Sequence, residues 1–307
     1  MIDILMATYN GEKYLEEQLE SIVNQSYDDW KLIIGDDCST DRTVAILTKY
    51  QQMYPNKIFF HVNVTPSGSA QNNFFQLIDY VNNDYVMFAD QDDIWLKDKI
   101  KLTFNMMRKA EFENGNRTPL LVHTDLCVVD QDLSVINNSI FAMQNMDYKR
   151  DKLNNLLVSN IVTGCTVMIN KALLDLLNVK PQKSVMHDMW LGLVAAAFGK
   201  IYFINKATIL YRQHGRNTNG VKNFNSVKFL FTNAFNHKCI HENLLKQYNQ
   251  ANEFMKIFIS KLSDNQVKML EDFSCLSNKN LVSKLIIINR YNLYKKGFIR
   301  IISQLLW

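Results

Sequence analysis

Two clusters of aspartate in this sequence each follow a short apolar run: Asp36-Asp37 after residues 30–35, and Asp90-Gln91-Asp92-Asp93 after Tyr85–Ala89. A third apolar run, residues 2–7, ends in Thr8-Tyr9-Asn10-Gly11. Carboxylates gathered in this way suit oxygen-ligated Mg2+ or Mn2+ bridging to the phosphates of a substrate. No glycine loop of the GxGxxG or GxxxxGKS/T kind is present, so a glycine cradle for phosphate is excluded. Taken alone, aspartates at strand ends read more readily as turns and helix caps. Asp37, just before Ser39-Thr40-Asp41, reads equally as a helix N-terminal acid.

Such residues need strands to hold them on one rim, and the periodicity supplies strands and helices in alternation. Residues 2–7 form a strand, with Asn10 capping the next helix and Glu12 complementing its dipole. Leu15, Leu19 and Ile22 make that helix's buried stripe. Residues 30–35 are a strand, and Thr40 caps a helix running to Tyr54, where Val44, Leu47 and Tyr54 share a face and Pro55 ends it. Residues 57–62 are strand, 69–81 helix, Tyr85–Ala89 strand and about 96–112 helix. Repeated strand–helix–strand units imply parallel pairing, and in such sheets ligands bind beyond the carboxyl ends of the strands. Further on, Leu120–Val129 and residues 160–169 read as strands, the latter interrupted at Thr163-Gly164. His187–Phe198 reads as a helix burying Trp190, Leu193, Val194 and Ala197. Strands at 201–204 and 208–211 lead to Arg212-Gln213-His214-Gly215.

With 307 residues, 47% hydrophobic and 21% charged, and only 4 Pro and 10 Gly, the chain is globular; wholesale disorder and repeat arrays are excluded. Its five cysteines are scattered with no CxxC pair, which speaks against a zinc ribbon or disulfide framework and for a reducing compartment. Residues 1–7 lack the basic and apolar regions of a signal peptide, and no run of about 18 apolar residues occurs. The net charge of +4 divides unevenly. Residues 217–307 carry 13 Lys and Arg against 5 Asp and Glu, whereas residues 1–216 carry 21 against 25. A basic, aliphatic-rich C-terminal segment fits helices lying on an anionic membrane or an ordinary helical cap. No nucleic-acid recognition motif is present, so nucleic acid is not an expected partner.

The strings MATYNGEKYLEEQLESIVNQSY, WKLIIGDDCSTDRT and YVMFADQDDIW resemble the donor half of family 2 glycosyltransferases. HDMWLGLVAAAFGKI and YRQHGRN resemble the acceptor half of bacterial rhamnosyltransferase-like members. The resemblance spans about residues 1–217. It implies an α/β fold of the GT-A type, a mostly parallel, twisted, Rossmann-like sheet with helices on both faces, followed by a helical C-terminal region. The implied domains are 1–216, divided into a donor half (about 1–115) and an acceptor half (about 116–216), and the basic helical region 217–307.

The resemblance also assigns residues. Asp90-Gln91-Asp92 is the DXD motif, with Asp92 ligating Mn2+ or Mg2+, Asp90 approaching the ribose or completing the shell, and Asp93 a further candidate ligand. His214 completes the metal site. Thr8, Tyr9, Asn10, Glu12, Asp37, Asn73, Asp90 and Gln91 line the donor nucleotide, with Asp37 accepting the N3–H of uracil or thymine. Asp188 is the base that takes the acceptor proton, a role the chemistry of inversion requires opposite the leaving diphosphate. Arg212, Arg216, Gly164 and Trp190 are secondary candidates for diphosphate or acceptor. Many relatives carry Arg-Asn where this chain has Asn72-Asn73, which removes a diphosphate contact.

The implied activity is metal-dependent inverting transfer of a sugar, L-rhamnose from dTDP-L-rhamnose, to a lipid-linked glycan in capsule, O-antigen or rhamnan synthesis. The alternatives are a UDP-hexose donor, or a non-catalytic nucleotide-sugar scaffold of the same fold. A nucleotidyltransferase would also use paired carboxylates but would leave His187-Asp188 and the YRQH segment without work. The expected location is cytoplasmic, peripheral on the plasma membrane through the C-terminal basic helices, with homo-oligomerisation left open.

Overall fold

The computed structural model describes residues 1–215, 237–297 and 301. The chain divides into two compact units: residues 1–140, 162–176 and 200–221 form the first, and 141–161, 177–199 and 222–307 the second.

The first unit is built on a nine-stranded sheet. In chain order its strands are β1 (Ile2–Thr8), β2 (Trp30–Asp36), β3 (Ile58–Val62), β4 (Tyr85–Ala89), β5 (Ile94–Trp95), β6 (Leu120–Val129), β7 (Val135–Asn137), β8 (Met168–Asn170) and β9 (Lys200–Arg212). The order across the sheet is β3-β2-β1-β4-β8-β6-β9-β5, with β7 added beside β6. β3, β2, β1 and β4 are mutually parallel, β8 runs antiparallel to β4 and β6, and β9 runs parallel to β6. Ile4, Leu5, Met6, Leu32, Ile34, Val86, Met87 and Phe88 are all buried. Such continuous apolar runs are what strands covered on both faces require.

Helices α1 (Leu15–Val23), α2 (Thr43–Met53), α3 (Ala70–Leu77) and α4 (Lys99–Asn114) connect the early strands, and the short α7 (Lys171–Leu174) follows β8. The predicted stripe of α1 is correct: Leu15, Leu19 and Ile22 are fully buried. Register sets the rim, because Thr8 lies opposite Asp36 and Met6 opposite Ala89. The residues after β1, β2 and β4 therefore emerge together.

Several local expectations give way to tertiary bonding. Asn10 does not cap α1; it sits at φ 46°, its side chain accepts from the Thr40 amide at 2.8 Å, and α1 begins only at Leu15 with no side-chain cap. Thr40 does not cap α2 either. Asp41 does comparable work, accepting from Thr43 N at 2.9 Å and Thr43 Oγ1 at 2.5 Å. The buried face of α2 is Thr43, Leu47 and Tyr50, not Val44 and Tyr54. Residues 160–163 are not strand, and the interruption at Thr163-Gly164 is a 3-10 turn over Gly164–Thr166. The two strands expected at 201–211 are one, with register shifts against β6 around Asp125.

The second unit is helical among its described residues: α6 (Leu153–Val158), α8 (His187–Phe198), α9 (His237–Phe258), α10 (Asp264–Ser274) and α11 (Leu281–Tyr291), with the short α5 (Ile140–Met143) at the crossing between units. Trp190 of α8 is fully buried, its ring edge-on to Phe254 of α9 at 5.3 Å. Phe258 lies 5.1 Å from Phe198, and Tyr248 meets Phe273 of α10 at 5.1 Å. His187 through Ala195 are buried except Asp188. No helix among the described residues is long and apolar enough to cross a membrane.

Candidate functional site

The rim beyond β1, β2 and β4 is held by side chains bonding to backbone. Thr8 Oγ1 donates to Asp36 Oδ1 at 3.0 Å, and the same carboxylate accepts from Ser39 Oγ at 2.6 Å and Ser39 N at 2.9 Å. Four consecutive amides of the β1–α1 loop each donate to a side chain. Tyr9 N donates to Gln91 Oε1 (2.9 Å), Asn10 N to Ser39 Oγ (2.8 Å), Gly11 N to Thr43 Oγ1 (2.8 Å) and Glu12 N to Asp41 Oδ2 (3.1 Å). Glu12 itself accepts from the Arg42 amide at 3.0 Å. The loop thus presents the Tyr9 ring, 57% exposed, on a fixed backbone.

Asp37 is buried, and its carboxylate accepts from Asn63 Nδ2 (2.9 Å), Ser67 N (2.5 Å) and Ser67 Oγ (2.9 Å). Asn73 is buried too: its Nδ2 donates to Gly35 O at 2.7 Å. A Cβ on Gly35 would lie 2.5 Å from Asn73 Oδ1, so that glycine is what admits the amide against β2.

At the end of β4 the structure brings together two residues expected to share a metal. Asp92 Oδ2 and His214 Nε2 are 2.7 Å apart, with side chains 17% and 13% exposed. One carboxylate oxygen and one imidazole nitrogen at a common point are a donor set that fits a divalent ion. The His214 ring rests 5.0 Å from that of Tyr14.

Arg212 lies beneath this pair and is buried. Its Nε donates to Asp92 O (3.0 Å), one terminal nitrogen to Gln131 O (2.8 Å) and the other to Glu17, while its backbone amide donates to Asp93 Oδ1 (3.2 Å). The guanidinium also covers the Tyr14 ring at 4.4 Å. Its side chain is occupied within the protein, whereas the sequence offers it as a secondary candidate for diphosphate or acceptor. Arg216 lies outside the described residues.

Deeper still, Asp90, Asp93 and Cys165 bring a ligand atom each within 4.8 Å of one another. Asp93 is fully buried, and desolvation together with the charges of Asp92 and Asp90 drives its carboxyl well above the usual range. Cys165 bonds to it, and burial followed by the same carboxylates drives the thiol up as well. A protonated thiol is a poor nucleophile, so Cys165 reads as support for the loop. Lys99, fully buried at the start of α4, has its ammonium 4.6 Å over the Trp95 ring, and burial lowers it to about 8. Sequence reasoning missed Lys99, and also Asp125, which accepts from Leu126 N (2.8 Å), Ile140 N (3.1 Å) and Ser139 Oγ (2.5 Å). The one available signal for Lys99 was a lysine four residues beyond a tryptophan at a strand end.

In the second unit, Asp188 stands in the first turn of α8. Its Oδ1 accepts from Met189 N at 2.6 Å and Asn160 Nδ2 at 3.3 Å. The segment entering α8 is tied to α9: Glu253 accepts from the amides of Gln182 (2.9 Å) and Lys183 (2.5 Å), and Gln250 from that of Val185 (2.7 Å). Trp190, proposed from sequence as a ligand contact, is spent in the core, and Gly164 is buried in its 3-10 turn.

Known proteins are similar to this chain in sequence and in architecture. The chain is 35% identical over 226 residues to the dTDP-rhamnosyl transferase RfbG of Shigella flexneri, covering 70% of this chain and 73% of that one. It is 28% identical over 218 residues to the putative teichuronic acid biosynthesis glycosyltransferase TuaG of Bacillus subtilis (69% and 79%). The crystal structure of S. aureus TarS 1–349 in complex with UDP-GlcNAc superposes with a TM-score of 0.56 at 17% identity, covering 96% of this chain and 93% of that one. The GT-A architecture expected from sequence is therefore the observed one. Since the model of the glycosyl transferase family 2 also matches residues 3–176, more than half of its length, the chain belongs to that family and is a glycosyltransferase.

Proposed function

We propose that this enzyme moves L-rhamnose from dTDP-L-rhamnose, with inversion, to a lipid-linked glycan during synthesis of a bacterial cell-surface polysaccharide. The observation that carries the reading is the Asp92–His214 pair, 2.7 Å apart at the carboxyl end of parallel strands, on the same rim as Asp37. The relative in Shigella flexneri named for dTDP-rhamnosyl transfer supports the donor.

Asp92 and His214 would hold Mn2+ or Mg2+, with Asp90 completing the shell. Bound there, the ion supplies Lewis-acid stabilisation of the departing diphosphate. Asp37 orients the pyrimidine, its carboxylate already fixed by Asn63 and Ser67. Asp188 takes the proton from the attacking hydroxyl, its orientation set by Asn160 and the Met189 amide. A single displacement at the anomeric carbon then inverts its configuration. In this reading residues 1–115 serve the donor, 116–216 the acceptor, and the basic segment 217–307 meets anionic lipid at the cytoplasmic face. Leu281, Val282 and Ile286 stand exposed on α11, in a helix that also carries Lys284 and Arg290, which suits an interfacial helix. The remainder of the expected amphipathic tail, residues 298–300 and 302–307, lies outside the described residues.

A UDP-hexose donor is the second reading, because the N3–H that Asp37 would accept is common to uracil and thymine. Calorimetric titration of dTDP, UDP, GDP and ADP, with and without Mn2+, tests both. Metal-dependent binding of dTDP over UDP, lost in Asp92→Asn, supports the rhamnosyl reading, and UDP preference favours the second. Purine preference or metal-independent binding overturns both.

A further inference from the structure

We infer that Gln91, the residue between the two aspartates of the DXD motif, is a positioning residue that couples metal binding to nucleotide binding, and that Gly11 exists in this chain to admit it. The inference rests on the metal and nucleotide assignment proposed above and gives Gln91 a different task from the donor contact expected of it.

The geometry is a two-way clamp. Gln91 Oε1 accepts from Tyr9 N at 2.9 Å, and Gln91 Nε2 donates to Tyr9 O at 3.1 Å. Both edges of one side-chain amide are thus spent on both backbone groups of one residue. Only a primary amide offers an acceptor and a donor side by side in this way; a carboxylate has no donor and an ammonium no acceptor. The close approach depends on Gly11. A Cβ there would lie 2.4 Å from Gln91 Oε1, 2.7 Å from its Cδ and 3.3 Å from its Nε2, and these are the three nearest atoms it would meet. Gly11 is not among the residues at positive φ. Its lack of a side chain therefore serves space and not backbone conformation.

The clamp joins two otherwise separate pieces. On one side Gln91 is followed directly by Asp92, whose carboxylate meets His214. On the other, Tyr9 opens the loop whose next amides are held by Ser39 and Thr43, in the segment that begins at Asp36-Asp37. A ligand that fixes Asp92 therefore also fixes the loop carrying Tyr9 and its neighbours. Any ordering done by the first ligand need not be done again by the second, which is positive coupling.

The test measures dTDP and UDP affinity by calorimetry, with and without Mn2+, in the wild type, Gln91→Ala, Gly11→Ala and the double variant. We expect the factor by which Mn2+ tightens nucleotide binding to fall at least about five-fold in each single variant, while metal-free affinity stays within about two-fold of wild type. The double variant should match the single ones, because the three nearest atoms the added methyl would meet all belong to Gln91. Gly11→Ala changes no polar group, so it decides the matter if Gln91→Ala does not fold. An unchanged Mn2+ factor in Gly11→Ala, effects that multiply in the double variant, or loss of metal-free affinity in Gln91→Ala would each overturn the inference, the last by making Gln91 a direct contact. Absence of any Mn2+ effect in the wild type would instead overturn the metal and nucleotide assignment underneath.

Discussion

Asp92 Oδ2 and His214 Nε2 lie 2.7 Å apart although 122 positions separate them in the chain. β4 and β9, the strands that lead to them, are not neighbours in the sheet, so the contact is made by the loop residues beyond the end of each strand. Arg212 closes it from below by donating to the carbonyl of Asp92 itself. Removing either partner should therefore act on metal affinity before anything else. Losing an outer partner of a metal ligand costs about 10–100-fold in affinity, and losing a ligand should cost more. His214→Ala and Asp92→Asn are expected to lose Mn2+-dependent nucleotide binding in calorimetry while unfolding in urea near the wild-type midpoint. Wild-type Mn2+ dependence in His214→Ala would remove it from the metal site.

A base acts on the acceptor alone, so its loss should separate binding from transfer. General base catalysis contributes about 10²–10⁴-fold, and Asp188→Asn is expected to lose that much of the transfer rate with nucleotide affinity unchanged. The amide still accepts from Met189 N, as Asp188 Oδ1 does, so the helix start is preserved. Transfer at the wild-type rate in this variant would end the assignment.

Strand ends were legible in the sequence because they depend on hydrophobic runs of fixed length: β4, β6 and α8 fall where expected, and with them the rim that carries Asp37, Asp90 and Asp92. Caps were less legible. Asn10 has the right type and spacing for an N-cap, yet its side chain is bonded to Thr40, thirty positions on. That choice is made by loop packing, to which a local pattern is blind. Arg212 is hidden for a related reason. Arginine is enriched at ligand sites and also anchors interiors, and its burial becomes visible only once β9 is placed, whereas the burial of Trp190 was legible in the periodicity of α8. Asp93, Cys165 and Lys99 come from three separate segments and carried no joint signal.

Arg212 offers a test of that interior role. A lysine there would keep the charge but cannot reach Asp92 O, Gln131 O and Glu17 from one fork. Arg212→Met should cost about 2–4 kcal/mol, since it leaves buried carbonyls without donors. Arg212→Lys should fall in between, and both should lower the urea midpoint. A fall in nucleotide affinity with stability intact would return Arg212 to the diphosphate.

Two buried histidines contribute to the response to acid. Desolvation lowers both His123 and His187 from 6.5 to about 3. In the unfolded chain each takes up a proton below pH 6.5, whereas in the folded protein each stays neutral until about pH 3. The unfolded state therefore binds more protons throughout that window, and stability present at pH 7 is lost progressively as pH falls from 6.5 toward 3. Each histidine adds a slope on the order of 1 kcal/mol per pH unit, on top of whatever the carboxylates contribute. Urea unfolding at about pH 7, 5.5 and 4.5 should show this slope flattened by one proton in His123→Leu or His187→Leu and by two in the double variant. Leucine fills a similar volume and cannot titrate, so a change in stability at pH 7 reports packing, and only the change in slope reports the proton. If both variants keep the wild-type slope, the two imidazoles take up protons in the folded protein over the same pH range as in the unfolded chain.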